Sequence, residues 1–255
     1  HTDKTRSLAI GIHMTGLYMG QAIGGFGATI AATFSWQQTF HSFGLIGIAY
    51  SVVLIFFLRE KRNTVEQELR QPQNKKPPLL KGFAVLFTNI SFWVILFYFA
   101  IPSLPGWGVK NWLPTLFAEN LNIDMSKAGP MSTITIAASS FLGVIFGGIL
   151  SDKWVQKNLR GRIYTSAIGL ALTIPALLLI GFGHSIFHVV GAAFCFGFGY
   201  GMFDANNMPI LCQFVSSKYR ATAYGLMNMT GVFAGAFITD LLGKSTDAGN
   251  LGKSF

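Results

Sequence analysis

Seven apolar stretches, at about 8–32, 37–58, 84–108, 129–150, 163–183, 187–214 and 219–243, each run for eighteen residues or more. Core helices of soluble proteins rarely sustain an apolar run beyond about 14 residues, whereas crossing a bilayer takes about 20. In lipid every backbone N–H and C=O must be satisfied within its own segment, so runs of this length fold as helices. The pattern predicts an all-α integral membrane protein with seven transmembrane helices. Composition agrees, since 51% of the 255 residues are hydrophobic and 11% charged, against roughly 25% charged in an ordinary soluble domain. A secretory signal would be one short run ahead of a soluble body, and no such body follows.

The net charge of +9 would suggest a nucleic-acid partner only if the basic residues formed a stripe on a soluble face. They fall instead between the stretches, and they alternate. Lys4 and Arg6 precede the first; Arg59, Lys61, Arg62, Arg70, Lys75, Lys76 and Lys81 follow the second; Lys153, Lys157, Arg160 and Arg162 follow the fourth; Lys218 and Arg220 follow the sixth. The other side holds Lys110, Lys127, Lys244 and Lys253. Because basic loops stay in the cytoplasm, the N-terminus and the loops 59–83, 151–162 and 215–220 are expected there. That makes a multi-pass protein of the plasma or bacterial inner membrane, surrounded by lipid and binding no nucleic acid.

The one long polar segment, "REKRNTVEQELRQPQNKKPPLLKG" at 59–82, is mixed in charge and rich in proline, as a linker would be. The expected organisation is the end of an N-terminal helix bundle at 1–58, a cytoplasmic linker at 59–83 with a short surface helix around Val65 to Leu69, and a C-terminal bundle at 84–255. Two spans before the linker and five after it are lopsided for a fold of paired repeats, so the chain is expected to be part of a longer protein.

Helices associate in lipid where small side chains let backbones approach. "GLYMGQAIGG" sets Gly16, Gly20 and Gly24 at four-residue spacing, with Gly25 beside them, and Gly143 with Gly147, Gly197 with Gly201 and Gly231 with Gly235 repeat the spacing. The second and fifth stretches are bulky and nearly free of polar groups, so they are expected to face lipid.

His13, His41, His184 and His188 are scattered, and no nucleophile, base and orienting acid converge in the sequence. Neither an enzyme nor a metal or cofactor site is expected. Asp204 is the exception among apolar neighbours, because a charge near the bilayer centre costs about 2.5 to 3.5 kcal/mol and must face a bundle interior or a wet cavity. Helical spacing sets Tyr200, Asp204 and Asn207 on one face, with Asn206 pointing elsewhere and bonding to a neighbouring helix. Pro209 predicts a local distortion there. In the first stretch His13, Tyr18 and Gln21 add polar groups, and His13 lies at a depth where it could pair with Asp204. Trp107 and Asn111 stand near the end of the third, where Pro102, Pro105 and Pro114 predict a bent helix.

"GGILSDKWVQKNLRGR" at 147–162 resembles the Gly-x-x-x-Asp-Arg/Lys loop motif of the major facilitator superfamily, matched by Gly148, Asp152 and Lys153, with its Gly-Arg displaced to Gly161 and Arg162. "GLYMGQAIGG" is similar to the glycine motif of that family's fifth helix, with Gln21 where proline is commonest. "WQQTF" at 36–40, "WLPTLF" at 112–117 and "YRATAYG" at 219–225 resemble segments of its sixth, seventh and eleventh helices. The resemblance covers the whole chain as family helices five to eleven of twelve, and the loop and "WLPTLF" look most like the anion/cation symporter and organophosphate antiporter branches.

The resemblance implies a secondary transporter that rocks two bundles around a central solute site and acts as a monomer. Asp204, Asn207, Tyr200, His13, Gln21, Trp107 and Asn111 would serve solute or proton. Asp152, Lys153, Arg162 and Arg220 would form a cytoplasmic gate. The expected cargo is a sugar, sugar acid or other organic anion taken up with H+. The alternatives are an organic-anion or organophosphate antiporter, and a receptor or scaffold that binds solute without moving it.

Overall fold

In the computed structural model, which describes residues 5–57, 79–183 and 185–254, nearly every described residue is helical. In chain order the helices are α1 (Arg6–Gly24), α2 (Gly27–Thr33), α3 (Trp36–Phe57), α4 (Leu79–Phe87), α5 (Ile90–Leu121), α6 (Met125–Val155), α7 (Gly161–Phe182), α8 (Ile186–Asp204), α9 (Asn207–Phe214) and α10 (Arg220–Asp247), with short 3-10 turns at Ser217–Tyr219 and Leu251–Ser254. The segment around Val65 to Leu69, most of the expected linker, Lys4 and His184 lie outside the described residues.

Among the described residues, six segments are long and apolar enough to cross a bilayer: Trp36–Phe57, Ile90–Leu121, Met125–Val155, Gly161–Phe182, Ile186–Phe214 and Ser217–Asp247. The first expected span, 8–32, divides instead into α1 and α2 at Gly25 and Phe26, and its apolar run is diluted by His13, Thr15, Tyr18 and Gln21. The third span does not stop at residue 108 as expected. It begins at Ile90 after the short α4 and runs 32 residues to Leu121, a length of roughly 48 Å. Pro102, Pro105 and Pro114 do not interrupt it. It ends at Asn122, whose left-handed φ of 50° is recorded with its N–H on the Glu119 carbonyl, a conformation that asparagine tolerates better than most residues.

The centre of the fold is the pair α6 and α8, and its seam is built of glycine on both sides. A Cβ on Gly147 would stand 2.6 Å from Met202 Cα, one on Gly201 2.5 Å from the Ser140 carbonyl oxygen, and one on Gly143 would overlap the Phe198 carbonyl. The expected small-residue pairs 143/147 and 197/201 therefore meet each other. Gly231 and Gly235 of α10 meet Phe99 and Trp107 of α5. Around these seams Leu113, Leu116, Phe117, Ile180, Phe196 and Phe203 form the main apolar core.

Helix α1 packs along α6 through only one of the four glycines expected to pack, Gly25. A Cβ on Gly16, Gly20 or Gly24 would meet nothing within 4 Å, whereas one on Gly11 would reach the Val144 carbonyl and one on Gly25 would overlap Thr133. At about 100° per residue, Gly16, Gly20 and Gly24 lie roughly opposite Gly11 and Gly25. Two glycine faces exist on one helix, and only the second is covered by described residues.

The expectation for the bulky helices holds for α3, whose 22 residues include a single buried one, Thr39. For α7 it holds on one side only. Ile174, Leu178 and Phe182 point outward, while Thr165, Gly169, Thr173, Ala176 and Ile180 are buried at helical spacing.

Candidate functional site

Asp204 owes its position to a break in the helix. Pro209 has no N–H to donate to the Ala205 carbonyl, so a helix continued through it would leave that carbonyl unanswered, whereas a proline in a first turn loses no such bond. The chain accordingly ends α8 at Asp204 and restarts as α9 at Asn207. The backbone N–H of Asn206 turns to the Phe203 carbonyl at 3.0 Å, which leaves the Met202 carbonyl without its usual helical donor. The Asn206 side-chain amide fills that gap, with Nδ2 donating to Met202 O at 2.9 Å. Asn206 thus holds its own helix end together, and not the neighbouring helix expected from the sequence.

The Asp204 carboxylate accepts from two donors. Tyr18 Oη of α1 donates to Oδ2 at 2.6 Å, and Asn207 Nδ2 donates to Oδ1 at 3.3 Å. Tyr18 is 1% exposed, so the shorter bond is well sheltered. The Asn207 side-chain oxygen is itself buried with no hydrogen-bond partner among the described residues, which is costly unless something fills it.

Beside this carboxylate stands a cation that sequence reasoning placed outside the span. Lys110 Nζ lies 5.0 Å from the centroid of the Tyr200 ring and 5.9 Å from that of Trp107, as cation–π contacts require. Its charge acts on Asp204, yet the two form no ion pair. Among the described residues Lys110 makes no hydrogen bond or salt bridge. Tyr200 in turn is stacked on Phe196, ring centroids 5.6 Å apart, and its hydroxyl reaches α5 at Gly106, where a Cβ would overlap it. The missing side chain at Gly106 is what lets α5 and α8 close over the Tyr200 ring.

Of the residues expected at this site, Asp204, Asn207, Tyr200 and Trp107 come together. Asn111 is one turn above Trp107 but is occupied elsewhere, its Nδ2 donating to Thr239 Oγ1 of α10 at 2.8 Å. His13 is exposed on the uncovered face of α1, about 140° round the helix from Tyr18, so it does not meet Asp204. Gln21 is half-buried and has no polar partner among the described residues. Tyr18, noted as a polar group but not given to the site for want of a helix face, and Lys110, left out because the apolar stretch was drawn to end at residue 108, were the residues missed.

A second polar cluster closes the end of the bundle where α1 begins. Asp152, at the end of α6, accepts from the backbone N–H of Ser7 at 3.2 Å and of Leu8 at 2.9 Å, so it caps the first turn of α1, where the helix dipole favours an anion. It also pairs with Arg162 Nη2 at 3.4 Å, both side chains being nearly inaccessible, and Arg162 Nε donates to Ser7 Oγ at 3.1 Å. Gly148 admits this approach, since a Cβ there would stand 2.9 Å from Leu8 Cα. Arg220, expected to share in this cluster, instead donates to the carbonyls of Val215 and Cys212 and so caps the end of α9. Lys153 is exposed.

Known proteins can be set beside this geometry. The chain is 24% identical over 267 residues to "Probable anion transporter 6, chloroplastic" of Arabidopsis thaliana, covering 96% of this chain and 50% of that protein. It is 28% identical over 256 residues to "Probable nitrate transporter NarT" of Staphylococcus epidermidis, covering 95% of this chain and 60% of that one. To "Hexuronate transporter" of Bacillus subtilis it is 28% identical over 203 residues, covering 73% and 45%. The chain spans about half the length of these curated relatives. The family model described as Major Facilitator Superfamily matches residues 1–239. With helices that cross the bilayer repeatedly, a glycine-built seam between them and a match over nearly its whole length, this chain belongs to the major facilitator superfamily, a family of multi-pass membrane transporters and not of enzymes.

Proposed function

We propose that the protein is a secondary transporter that takes up a small organic anion, a sugar acid by preference, together with a proton. The observation that carries this reading is Lys110: an ammonium group within a membrane-spanning helix, held between two aromatic faces and without an ion pair among the described residues. A cation kept at such depth is expensive unless it serves a negative partner. The relatives named for an anion, nitrate and hexuronate favour the same sign of cargo.

Asp204 supplies the coupling in this reading. The groups facing it are Tyr18 from α1, Lys110 from α5, and Tyr200 and Asn207 on its own segment. When Asp204 is ionised, its charge offsets that of Lys110 and competes with an incoming anion. Protonation removes that competition, so anion and proton bind together. The donors left for solute hydroxyls, Gln21 and the indole of Trp107, suit a polyhydroxy acid. Tyr18 and Asp204 link α1 to α8, so changes at the carboxylate reach the contact between helices on either side of the linker, and Asp152 with Arg162 serves as a gate at the end expected in the cytoplasm.

The test is uptake of labelled glucuronate by proteoliposomes containing the protein at its full natural length. Accumulation should follow an inward proton gradient and disappear in Asp204→Asn, while exchange of labelled for unlabelled solute persists. Exchange that ignores pH and prefers a phosphorylated anion would instead favour the antiporter reading, and binding without flux would favour a receptor.

A further inference from the structure

A large cavity among the described residues lies away from Asp204, at the end of the bundle where α1, α7 and α10 begin. It has a volume of about 870 Å³ and is lined by Arg6, Arg160, Arg162 and Arg220, with no carboxylate among its lining residues. Three of these arginines stand at helix starts: Arg6 and Arg220 are the first residues of α1 and α10, and Arg162 is the second of α7. A helix start already carries partial positive charge and disfavours cations, so the arrangement concentrates positive potential in one concavity. Arg160 adds to it as the residue just before α7, whose first turn has no side-chain cap.

Among the described residues, Asp152 and the carbonyls at the end of α9 are engaged. Asp152 is taken up by the Ser7 and Leu8 N–H groups and by Arg162. The carbonyls at the end of α9 are taken up by Arg220. Beside the arginines the wall is apolar, with Leu159 78% and Phe214 45% exposed. Guanidinium groups beside the uncapped starts of α7 and α10 are a donor set that phosphate oxygens recognise, and an apolar wall at a membrane end suits an acyl chain.

We propose that this cavity binds a phosphate-bearing anion, supplied either by the headgroup of an anionic phospholipid or by a soluble phosphate. Basic pockets between transmembrane helices on the cytoplasmic side commonly hold such headgroups, and the charge distribution of the loops places this end there. Bound phosphate would bridge the starts of α1, α7 and α10 and so hold closed the same end that Asp152 and Arg162 latch.

The experiment measures binding, so its result is independent of which solute the protein moves. The full-length protein is reconstituted in phosphatidylcholine nanodiscs, with phosphatidylglycerol as one probe and inorganic phosphate as the other, and thermal stabilisation and retained ligand by native mass spectrometry are read for wild type, Arg160→Gln and Arg6→Gln/Arg160→Gln. Arg160 is exposed, so the single variant is expected to fold. Retention of phosphatidylglycerol that weakens about tenfold for each guanidinium removed supports the site with a lipid source. The same loss seen with inorganic phosphate supports it with a soluble source. Binding of both probes that is absent in wild type, or unchanged in the variants, overturns the proposal.

Discussion

Asp152 and Asp204 each tie α1 to the larger helix group, and they do so in opposite states of satisfaction. Asp152 has two backbone N–H donors and a guanidinium, all buried with it. Asp204 has a phenol and an amide, stands half-buried, and leaves a buried amide oxygen on Asn207 and an unpaired ammonium on Lys110 beside it. A carboxylate held by two backbone N–H groups and a guanidinium is a fastening. One that shares its surroundings with unanswered groups is poised for a partner that comes and goes.

The sharpest way to break this comparison is to neutralise both acids without changing their shape. Asp204→Asn should abolish proton-driven accumulation outright while the protein still folds, whereas Asp152→Asn should leave coupling in place; equal losses of accumulation in both variants would erase the distinction. The next effect is on stability. Asp152→Ala leaves Arg162 buried without its counter-charge and should cost about 3 to 5 kcal/mol, as removal of one partner of a buried pair does, measured by thermal denaturation in detergent or nanodiscs; Asp204→Ala should cost far less.

Lys110→Gln should weaken anion binding about ten- to a hundredfold, the value of a lost charge-assisted contact, with little change in melting temperature. Measured across pH, wild-type affinity for the anion should fall as pH rises, because deprotonating Asp204 returns the charge that competes for Lys110; in Asp204→Asn that slope should vanish. The smallest expected effect separates the two glycine faces of α1. Gly20→Ala meets open space among the described residues, whereas Gly147→Ala forces α6 from α8. In this chain the first should alter the melting temperature little and the second should lower it by several degrees.

Much of the fold was legible because its signals are local. Length and apolarity dictate helices in lipid, and the pairs 143/147 and 197/201 met as their spacing implied because each helix carries its small residues on one face. Asp204 was conspicuous as a charge where charges are costly. The misjudged residues share a different cause. Lys110 was placed outside the span because the apolar stretch was drawn to end at residue 108, although α5 runs unbroken to Leu121. His13 and Tyr18 were interchangeable until the facing side of α1 was known. Gly16, Gly20 and Gly24 carried the same spacing signal as the seams that do pack, on the face turned away from α6.

By itself, the sequence determined that this chain lives in a bilayer, that it crosses it repeatedly, and that one carboxylate must be answered inside. Those follow from transfer costs, which each residue bears wherever its neighbours lie. Only the tertiary structure decided which residues answer that carboxylate, that a lysine stands near it without pairing, and that four arginines converge at one end. Those depend on helix rotation and on contacts between residues up to 186 positions apart, and a linear pattern repeated every few residues cannot say which way a helix turns.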